Sequence, residues 1–379
     1  MLNLKILQLC SFYTGNKVHK NLFSHLDTTV HQDIYIPVRE RKKVDANTTS
    51  LQNGTLYFDN VWSWYHRVLF NRKIQKAFNR IGTLRNNISY DIFHAHTWFS
   101  DGGIAWLLNK QNNKPYIIAV RNTDINIFYK KLLHLKKTGH SILEKASKVV
   151  FISPGYYKQL ISILPEGLKE SVKNKSVIIP SGIDEFWFEN KFVRNTVELK
   201  GGNFNLLYVG EINKNKNIEN VIKSFQKLRS ENINATLTLV GFKSSNHFEN
   251  RIRKRYADIK GLSFVDKLSE KKELVKYYRD ADLFIMPSFT ETFGLVYIEA
   301  LSQGLPIIYS KGQGVDGYFD DDHVGIAVNP KSVDEITNAI EIIYNNYNEF
   351  LPKDHSYLEQ FKWENIVAKY YKLYSEVGD

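Results

Sequence analysis

Short apolar runs alternate with amphipathic stretches along the whole chain, and most of the runs are bounded by glycine, proline or polar residues. Runs of this length predict buried strands, and the stretches between them have the spacing of helices that cover a sheet. The predicted strands cover residues 5–10, 31–37, 90–96, 115–120, 148–153, 177–180, 204–210, 235–241, 262–265, 281–286 and 305–309. This alternation predicts an α/β protein with doubly wound parallel sheets.

Helical spacing fills most of the intervals between the predicted strands. The predicted helices cover residues 17–26, 61–85, 217–228, 249–259, 269–280, 293–302, 333–344 and 358–374. The polar stretch 39–53 is predicted to be an exposed loop, and residues 185–203 a linker. We therefore expect one domain over residues 1–184 and a second over residues 185–356.

Composition fits a two-domain globular protein that stays in the cytoplasm. The chain has 379 residues, of which 43% are hydrophobic and 24% charged, and this length supports two cores of ordinary size. No apolar run approaches the length of a membrane span, and the N-terminus lacks the pattern of a signal peptide. Cys10 is the single cysteine, which excludes an internal disulfide and a cysteine-built metal site.

Positive charge is concentrated in the first half of the chain. Residues 1–184 carry 26 Lys and Arg against 12 Asp and Glu, a net charge of +14, whereas the remainder carries 25 against 28, a net charge of −3. A basic domain favours an anionic partner such as a phospholipid surface, a phosphorylated acceptor or nucleic acid. Simple solubility is the alternative explanation.

Two stretches of the basic half combine aromatic with basic residues. Residues 61–85 include Trp62, Trp64 and Tyr65 among several Lys and Arg, and residues 128–140 (FYKKLLHLKKTGH) repeat this character. Such a mixture is typical of segments at a membrane interface. An ordinary helix with an aromatic core face and solvated basic residues is the alternative.

Residues 286–310 (MPSFTETFGLVYIEALSQGLPIIYS) contain a strand end, a tight turn, a helix start and a second strand. The helix begins near Phe293, Gly294 and Leu295, where unpaired backbone N–H groups and the helix dipole suit a phosphate. Glu291 and Glu299 lie eight residues apart, in the loop and about two turns along the helix. Their carboxylates are suitable acceptors for sugar hydroxyls.

The pair Glu291 and Glu299, with the flanking Pro287-Ser288, Phe293-Gly294 and Gly304-Leu305-Pro306, resembles the E-x7-E signature of the family 4 retaining glycosyltransferases. The resemblance covers nearly the whole chain and is strongest over residues 205–328. It implies the GT-B fold, with two Rossmann-like doubly wound domains facing a central cleft and a C-terminal helix, about residues 357–379, that packs back on the first domain.

The resemblance also implies roles for individual residues. Lys216 matches the family's diphosphate-binding lysine, Glu299 would hold the ribose, and Glu291 the hydroxyls of the transferred sugar. Gly15 stands in a loop where the family usually has a glycine pair, and it is expected to allow the close approach of a ligand. No cofactor or metal is implied, and the donor would be a nucleotide-diphosphate sugar, with a UDP-sugar favoured over a GDP-sugar.

The predicted strand ends at His96 and Arg121 complete the expected site. Residues 90–96 (YDIFHAH) resemble the family strand that ends at the acceptor site. Because side chains alternate along a strand, His94 and His96 are not expected to reach one pocket, and His96 is the favoured site residue. Arg121 replaces a family histidine, and it is expected to bind a phosphate or acidic sugar, or to form a salt bridge with Asp124 or another nearby acid.

The sequence therefore predicts a retaining, metal-independent glycosyltransferase that acts on a lipid-linked or polysaccharide acceptor of the cell surface, at the inner face of the membrane. Glu211 stands where the family has an arginine, and an acid there is expected to weaken diphosphate binding unless it turns away. A degenerate non-catalytic subunit and a nucleotide-sugar epimerase are the alternatives. Nucleic acid is not an expected partner, because no nucleic-acid-binding module is recognisable.

Overall fold

The computed structural model describes residues 4–15, 17–27, 30–39, 48–67, 69–84, 89–194, 203–243, 247–319, 324–352 and 354–378. The chain divides into two compact units. Unit 1 contains residues 1–152, 156–182 and 363–379, and unit 2 contains residues 153–155 and 183–362.

Unit 1 is built on a parallel sheet of seven strands in the order β3-β2-β1-β4-β5-β6-β7. The strands are β1 (Lys5–Leu9), β2 (His31–Val38), β3 (Gly54–Asn60), β4 (Ile92–Ala95), β5 (Tyr116–Val120), β6 (Lys148–Phe151) and β7 (Ser176–Ile178). The order reverses between β1 and β4, and the carboxyl ends of the strands at such a reversal form the usual ligand site of an open α/β sheet.

Helices cover this sheet because each of them has one apolar face. They are α1 (Lys17–Leu26), α2 (Phe70–Leu84), α3 (Ser100–Asn112), α4 (Lys136–Lys145), α5 (Pro154–Ile163) and α6 (Glu166–Asn174), with short 3-10 or π turns at Tyr13–Gly15, Trp64–Arg67, Asp124–Tyr129 and Leu133–Leu135. The last helix of the chain, α14 (Trp363–Gly378), also belongs to this unit. Its buried Ile366, Tyr370 and Tyr374 pack in the same core as Ile6 and Ile92 of the central strands.

Unit 2 repeats the architecture with a parallel sheet of six strands in the order β10-β9-β8-β11-β12-β13. Its strands are β8 (Phe204–Val209), β9 (Ala235–Phe242), β10 (Leu262–Asp266), β11 (Leu283–Ile285), β12 (Ile307–Ser310) and β13 (Gly325–Val328). The order reverses between β8 and β11, so the loops that follow these two strands lie side by side.

The helices of unit 2 complete the second Rossmann-like fold. They are α7 (Phe186–Glu189), α8 (Ile218–Ser230), α9 (His247–Tyr256), α10 (Lys271–Asp280), α11 (Leu295–Ser302), α12 (Val333–Asn345) and α13 (Tyr347–Phe350), with 3-10 turns at Lys214–Lys216 and Ser356–Phe361. The predicted fold class, an α/β protein with two Rossmann-like parallel-sheet domains, is confirmed.

Several local predictions differ from the structure. The predicted helix 358–374 is divided into a 3-10 turn at Ser356–Phe361 and α14, and the predicted linker 185–203 contains the short helix α7. β3 and β13 are strands that the apolar pattern does not predict, because each lies at a sheet edge and is only partly buried. The predicted helix 61–85 begins later, since a 3-10 turn at Trp64–Arg67 precedes α2. Residue 85, most of the predicted loop 39–53 and residues 195–202 of the predicted linker lie outside the described residues.

Within the described ranges, no helix combines the length and apolarity of a membrane span. The same part of the chain contains no group of three or more His, Cys, Asp or Glu side chains arranged to hold a metal ion.

Candidate functional site

Lys216 lies at the carboxyl end of the unit 2 sheet, in the turn between β8 and α8. Asn213 caps this turn by accepting a hydrogen bond from the Lys216 backbone N–H at 3.2 Å. Asn217 follows in the left-handed conformation, with φ of 58°, and its side-chain amide donates to the Pro287 carbonyl at 2.9 Å. These contacts fix the Lys216 backbone against the loop after β11.

A second asparagine clamps the same two loops together. The Asn215 side-chain oxygen accepts from the backbone N–H and the hydroxyl of Thr290, at 3.1 and 2.6 Å, and its amide donates to the Thr290 carbonyl at 2.7 Å. The sequence analysis missed Asn213, Asn215 and Asn217. The alternation of Asn with Lys over residues 213–217 was the available signal, because asparagine favours turns and caps.

Lys216 and Glu291 form an ion pair between Nζ and Oε2, so the structure brings together two of the predicted site residues. Both side chains are largely buried, with 18% and 13% of their surface exposed. Lys216 Nζ also lies 3.9 Å from the Met286 sulfur. A charge pair with this little solvent interacts more strongly than a surface pair.

The start of α11 lies directly after Glu291. Gly294 has φ of +82°, and α11 begins at Leu295 without a side-chain cap. Among the described residues, no acceptor is recorded for the backbone N–H groups of residues 293–296. Phe293 is buried against the rings of Tyr318 and Phe361. The turn thus presents N–H donors and the positive end of the α11 dipole beside Lys216 and Glu291.

Glu299 is a partly buried residue on α11 and accepts a hydrogen bond from the Tyr278 hydroxyl at 3.1 Å. Burial raises the pKa of its carboxyl to about 7, and the Tyr278 hydrogen bond and the nearby Lys271 act in the opposite direction. Tyr278 comes from α10, and the sequence analysis did not select it. The structure gives Glu299 a polar partner of its own, separate from the Lys216–Glu291 pair.

The Glu211 carboxylate has two polar partners, Lys243 and Asn213. It lies 3.8 Å from Lys243 Nζ and accepts from the Asn213 amide at 3.3 Å, and 61% of the side chain is exposed. Solvent and Lys243 both reduce its repulsion of an anion. A cavity of about 330 Å³ lies beside it at the carboxyl ends of β8 and β9, lined by Gly210, Gly241 and Lys267 among others.

In unit 1, Arg121 follows β5 and its Nε donates to the His96 carbonyl at 3.1 Å. Its backbone N–H, not its guanidinium, donates to Asp124, at 2.9 Å. Asp124 also accepts from the backbone N–H groups of Trp98 and Phe99. Asp124 therefore organises the loop after β4 by backbone contacts, and the ion pairs recorded among the described residues include none between Arg121 and Asp124.

The expectation that His94 and His96 point to different places is wrong. Their ring centroids are 4.3 Å apart. The reason is that side chains alternate with a period of two residues, so positions two apart, such as 94 and 96, lie on the same face of an extended segment. His19 of α1 joins the pair, with its ring 5.3 Å from that of His96.

These three rings form a buried histidine cluster, consisting of His19, His94 and His96. His94 Nδ1 lies 2.8 Å from the Tyr374 hydroxyl and His96 Nε2 lies 2.9 Å from the Gln8 side-chain oxygen. Burial and the charge of Arg121 lower the pKa of His19 and His94 to about 3, and the pKa of His96 is also lowered, mainly by burial. The cluster is therefore neutral at pH 7.

The His96 ring, the site residue that the sequence favoured, has no exposed surface. Its catalytic role, like that of Arg121, stays a prediction. Gly15 ends the 3-10 turn after β1, beside the reversal in strand order. Its predicted contact with a ligand also stays a prediction.

Comparison with known proteins supplies independent information. Residues 189–359 match the family "Glycosyl transferases group 1". The chain is 26% identical over 272 residues to D-inositol 3-phosphate glycosyltransferase of Pseudarthrobacter chlorophenolicus, a match that covers 68% of this chain and 63% of that protein. It is 25% identical over 281 residues to alpha-monoglucosyldiacylglycerol synthase of Acholeplasma laidlawii, covering 68% of each.

A solved structure has the same fold over nearly the whole chain. This is Anabaena HepE in complex with UDP and glucose, with a TM-score of 0.65, 14% identity, and coverage of 99% of this chain and 100% of HepE. At this identity the likeness concerns the fold alone.

Proposed function

Since residues 189–359 match the group 1 glycosyltransferases, we propose that this chain transfers a sugar from a nucleotide-diphosphate sugar to a lipid-linked or polysaccharide acceptor, with retention of configuration and without a metal. The observation that carries the proposal is the convergence of Lys216, Glu291 and the start of α11 at the point where the unit 2 strand order reverses.

Lys216 and the N–H groups at the start of α11 are proposed to hold the donor diphosphate. In the reaction the bond between the anomeric carbon and the diphosphate oxygen breaks, and the acceptor hydroxyl oxygen bonds to that carbon. The hydroxyl proton leaves with the diphosphate. Negative charge grows on the leaving group, so fixed cationic and N–H donors stabilise the transition state more than the ground state.

The two acids are proposed to orient the donor. Glu291 would accept hydrogen bonds from hydroxyls of the transferred sugar, and Glu299 from the ribose. Glu299 needs its carboxylate form to accept from both hydroxyls, and its pKa is raised to about 7. The cavity beside Glu211 has a volume suited to part of a nucleotide. HepE binds UDP on the same fold, which supports a UDP-sugar as the donor to test first.

Unit 1 is proposed to bind the acceptor. Its net positive charge favours an anionic or lipid-linked molecule. Arg121 keeps guanidinium donors beyond the one that contacts the His96 carbonyl. We assign Arg121 the contact with a phosphate or acidic sugar, and the buried His96 the task of positioning Arg121. One relative is named as a D-inositol 3-phosphate glycosyltransferase and another as a synthase of a glycolipid, alpha-monoglucosyldiacylglycerol, and both names support an acceptor of this kind.

Calorimetric titration of UDP, GDP and ADP without divalent metal tests the donor site. We expect one nucleotide to bind, and Lys216→Ala to weaken it by about 10-fold or more, since a charge-assisted hydrogen bond contributes on the order of 1.5–3 kcal/mol. Glu299→Ala is expected to weaken the same nucleotide. Lys214→Ala is the matched control, because Lys214 is an exposed lysine of the same turn.

The reaction itself is tested by incubating the protein with the matching nucleotide sugar and membrane lipids, and by determining the anomeric configuration of the product by NMR. An inverted product would contradict the retaining mechanism. Absence of binding by all three nucleotides, or equal losses in Lys214→Ala and Lys216→Ala, would contradict the assigned donor site.

A further inference from the structure

Exposed apolar side chains are concentrated in two short segments of unit 1. Trp64, Tyr65 and Leu69 lie before α2, and Ile127 and Leu133 lie between β5 and α4. Trp64 is 76% exposed and Leu133 is 64% exposed, the two highest values among the large hydrophobic residues that the structure describes. Single exposed apolar residues are ordinary, but a group of five from two segments marks an interaction site.

The two segments are in contact through neighbouring aromatic side chains. The Phe70 ring lies 6.0 Å from the Phe128 ring, and both contact Phe99. The exposed Leu69 and Ile127 are the chain neighbours of Phe70 and Phe128. The Leu69 N–H donates to the Tyr65 carbonyl, and the Leu132 N–H to the Phe128 carbonyl, at 3.1 and 3.2 Å. The exposed side chains therefore extend from one continuous, internally hydrogen-bonded support.

Positive charge surrounds these side chains and negative charge is absent from the same stretches. Residues 61–84 contain five Lys and Arg, residues 125–143 contain four, and neither stretch contains an Asp or Glu. Arg80 is used in an ion pair with Asp59, and Lys73 turns inward to the Ser100 hydroxyl. Lys130, Lys131 and Lys137 are exposed, and the ion pairs recorded in the described ranges involve none of them.

We infer that this aromatic–basic surface, formed by Trp64, Tyr65, Leu69, Ile127 and Leu133 with Lys130, Lys131 and Lys137, binds the surface of an anionic phospholipid bilayer. Indole and aliphatic side chains enter the boundary between headgroups and acyl chains, while lysines remain at the charged headgroups. Nucleic acid would use the lysines but not the exposed Leu and Ile. A bilayer uses both components.

Vesicle co-sedimentation of the full chain tests this inference, with no nucleotide sugar or acceptor present, so its result is separate from that of the proposed glycosyl transfer. We expect binding to vesicles of phosphatidylcholine mixed with phosphatidylglycerol and little binding to phosphatidylcholine alone. Trp64→Ser with Leu133→Ser is expected to lower the partition coefficient on the order of 100-fold, because each buried apolar side chain contributes about 10-fold or more. Ile342→Ser, at an exposed apolar site of unit 2, is the matched control.

A charge-reversal variant tests the electrostatic part. The variant that combines Lys130→Glu, Lys131→Glu and Lys137→Glu is expected to bind the anionic vesicles about 100-fold or more weakly. Added salt is also expected to weaken vesicle binding of the wild type. Lys272→Glu with Lys276→Glu, at exposed lysines of α10, should leave binding unchanged. Thermal unfolding of every variant separates lost binding from lost folding.

The spectroscopic readout concerns Trp64 directly. Its fluorescence is expected to shift to shorter wavelength on vesicle binding, and the Trp64→Phe variant to bind while losing most of that shift. The inference is overturned if wild type does not sediment with anionic vesicles, or if the Trp64→Ser, Leu133→Ser variant binds as well as wild type. Binding to unrelated DNA without vesicle binding would overturn it in favour of a nucleic-acid surface.

Discussion

Lys216 and Glu291 were selected from the sequence for different tasks, one for a diphosphate and the other for sugar hydroxyls. The structure pairs them directly in a largely buried environment. We therefore expect a diphosphate bound at Lys216 to compete with Glu291 for the same ammonium group. Glu291 would then be released to accept hydrogen bonds from the sugar, so the two proposed tasks would depend on each other.

This competition predicts opposite effects of Glu291→Gln on binding and on turnover. Removal of the carboxylate charge should tighten the binding of the nucleoside diphosphate product by about 5–10-fold, because a partly buried charge pair at contact distance is worth on the order of 1 kcal/mol or more. The turnover number should fall, because the amide no longer offers two acceptor oxygens to the sugar. Calorimetry and a donor-dependent rate assay measure the two effects.

Glu211→Gln is the control for that experiment. Glu211 is exposed to solvent and lies 3.8 Å from Lys243 Nζ, so its replacement should change nucleotide binding by less than about 2-fold. Weaker nucleotide binding by Glu291→Gln would contradict competition for Lys216 and would indicate that Glu291 supports the position of the lysine.

At the scale of elements, the turn before α11 decides where that helix points. Gly294 has φ of +82°, and a Cβ there would overlap the Tyr297 ring. The Tyr297 hydroxyl in turn donates to the Met286 carbonyl at the end of β11. A glycine at this position thus permits both the left-handed backbone and the close contact that anchors α11.

Gly294→Ala is expected to cost about 1–2 kcal/mol in backbone conformation, and more in steric overlap with Tyr297. It should also weaken nucleotide binding, because the N–H groups at the start of α11 move. Gly312→Ala is the matched control, since Gly312 has φ of +72° but open space where its Cβ would lie. Chemical denaturation measures the stability of both variants, and calorimetry measures their nucleotide binding. Equal losses for Gly294→Ala and Gly312→Ala would refute the anchoring role of the Gly294 turn.

At the scale of the whole chain, residues far apart in sequence meet in the core of unit 1. Gln8 of β1 donates to the Tyr374 hydroxyl of α14 at 3.1 Å, across 366 positions of the chain, and Tyr374 also contacts His94. The buried histidine cluster lies in this network. Both ring nitrogens of His19 and one each of His94 and His96 have no hydrogen-bond partner among the described residues.

The cluster predicts a dependence of stability on pH. In the unfolded chain a histidine has its ordinary pKa of about 6.5, whereas the pKa of folded His19 is lowered to about 3. Between these values the unfolded state binds more protons, so the contribution of His19 to stability is complete above pH 6.5 and decreases as the pH falls. Asp101 and Asp124 act in the opposite direction, because burial raises their pKa to about 7 and about 6.

The His19→Leu variant separates the contribution of His19 to the pH dependence of stability from that of Asp101 and Asp124. The free energy of unfolding of His19→Leu minus that of wild type should increase by about 2 kcal/mol when the pH falls from 7.5 to 5. This corresponds to 1.36 kcal/mol for each pH unit below the ordinary pKa of histidine. Urea denaturation at both pH values measures this difference. His134→Ala, at an exposed histidine, should show no such change, and a constant difference for His19→Leu would contradict burial as a neutral imidazole.

The sequence by itself determined the elements with strong local patterns. Buried strands such as β5 and β11 are continuous apolar runs, Gly304 follows the end of α11 with φ of +73°, and the two acids of the signature lie in the loop and on α11. Each of these features depends on neighbours within a few residues, so its physical cause is present in the local sequence.

Only the tertiary structure decided the contacts between distant segments. The pairing of Lys216 with Glu291, the hydrogen bond from Tyr278 to Glu299, and the contact of the His19 ring with the His96 ring each join side chains whose meeting depends on strand order and on how helices pack on the sheet. β3 and β13 likewise acquire their pairing from β2 and β12. Local periodicity carries no information about such partners, because they are brought together only when the sheets assemble.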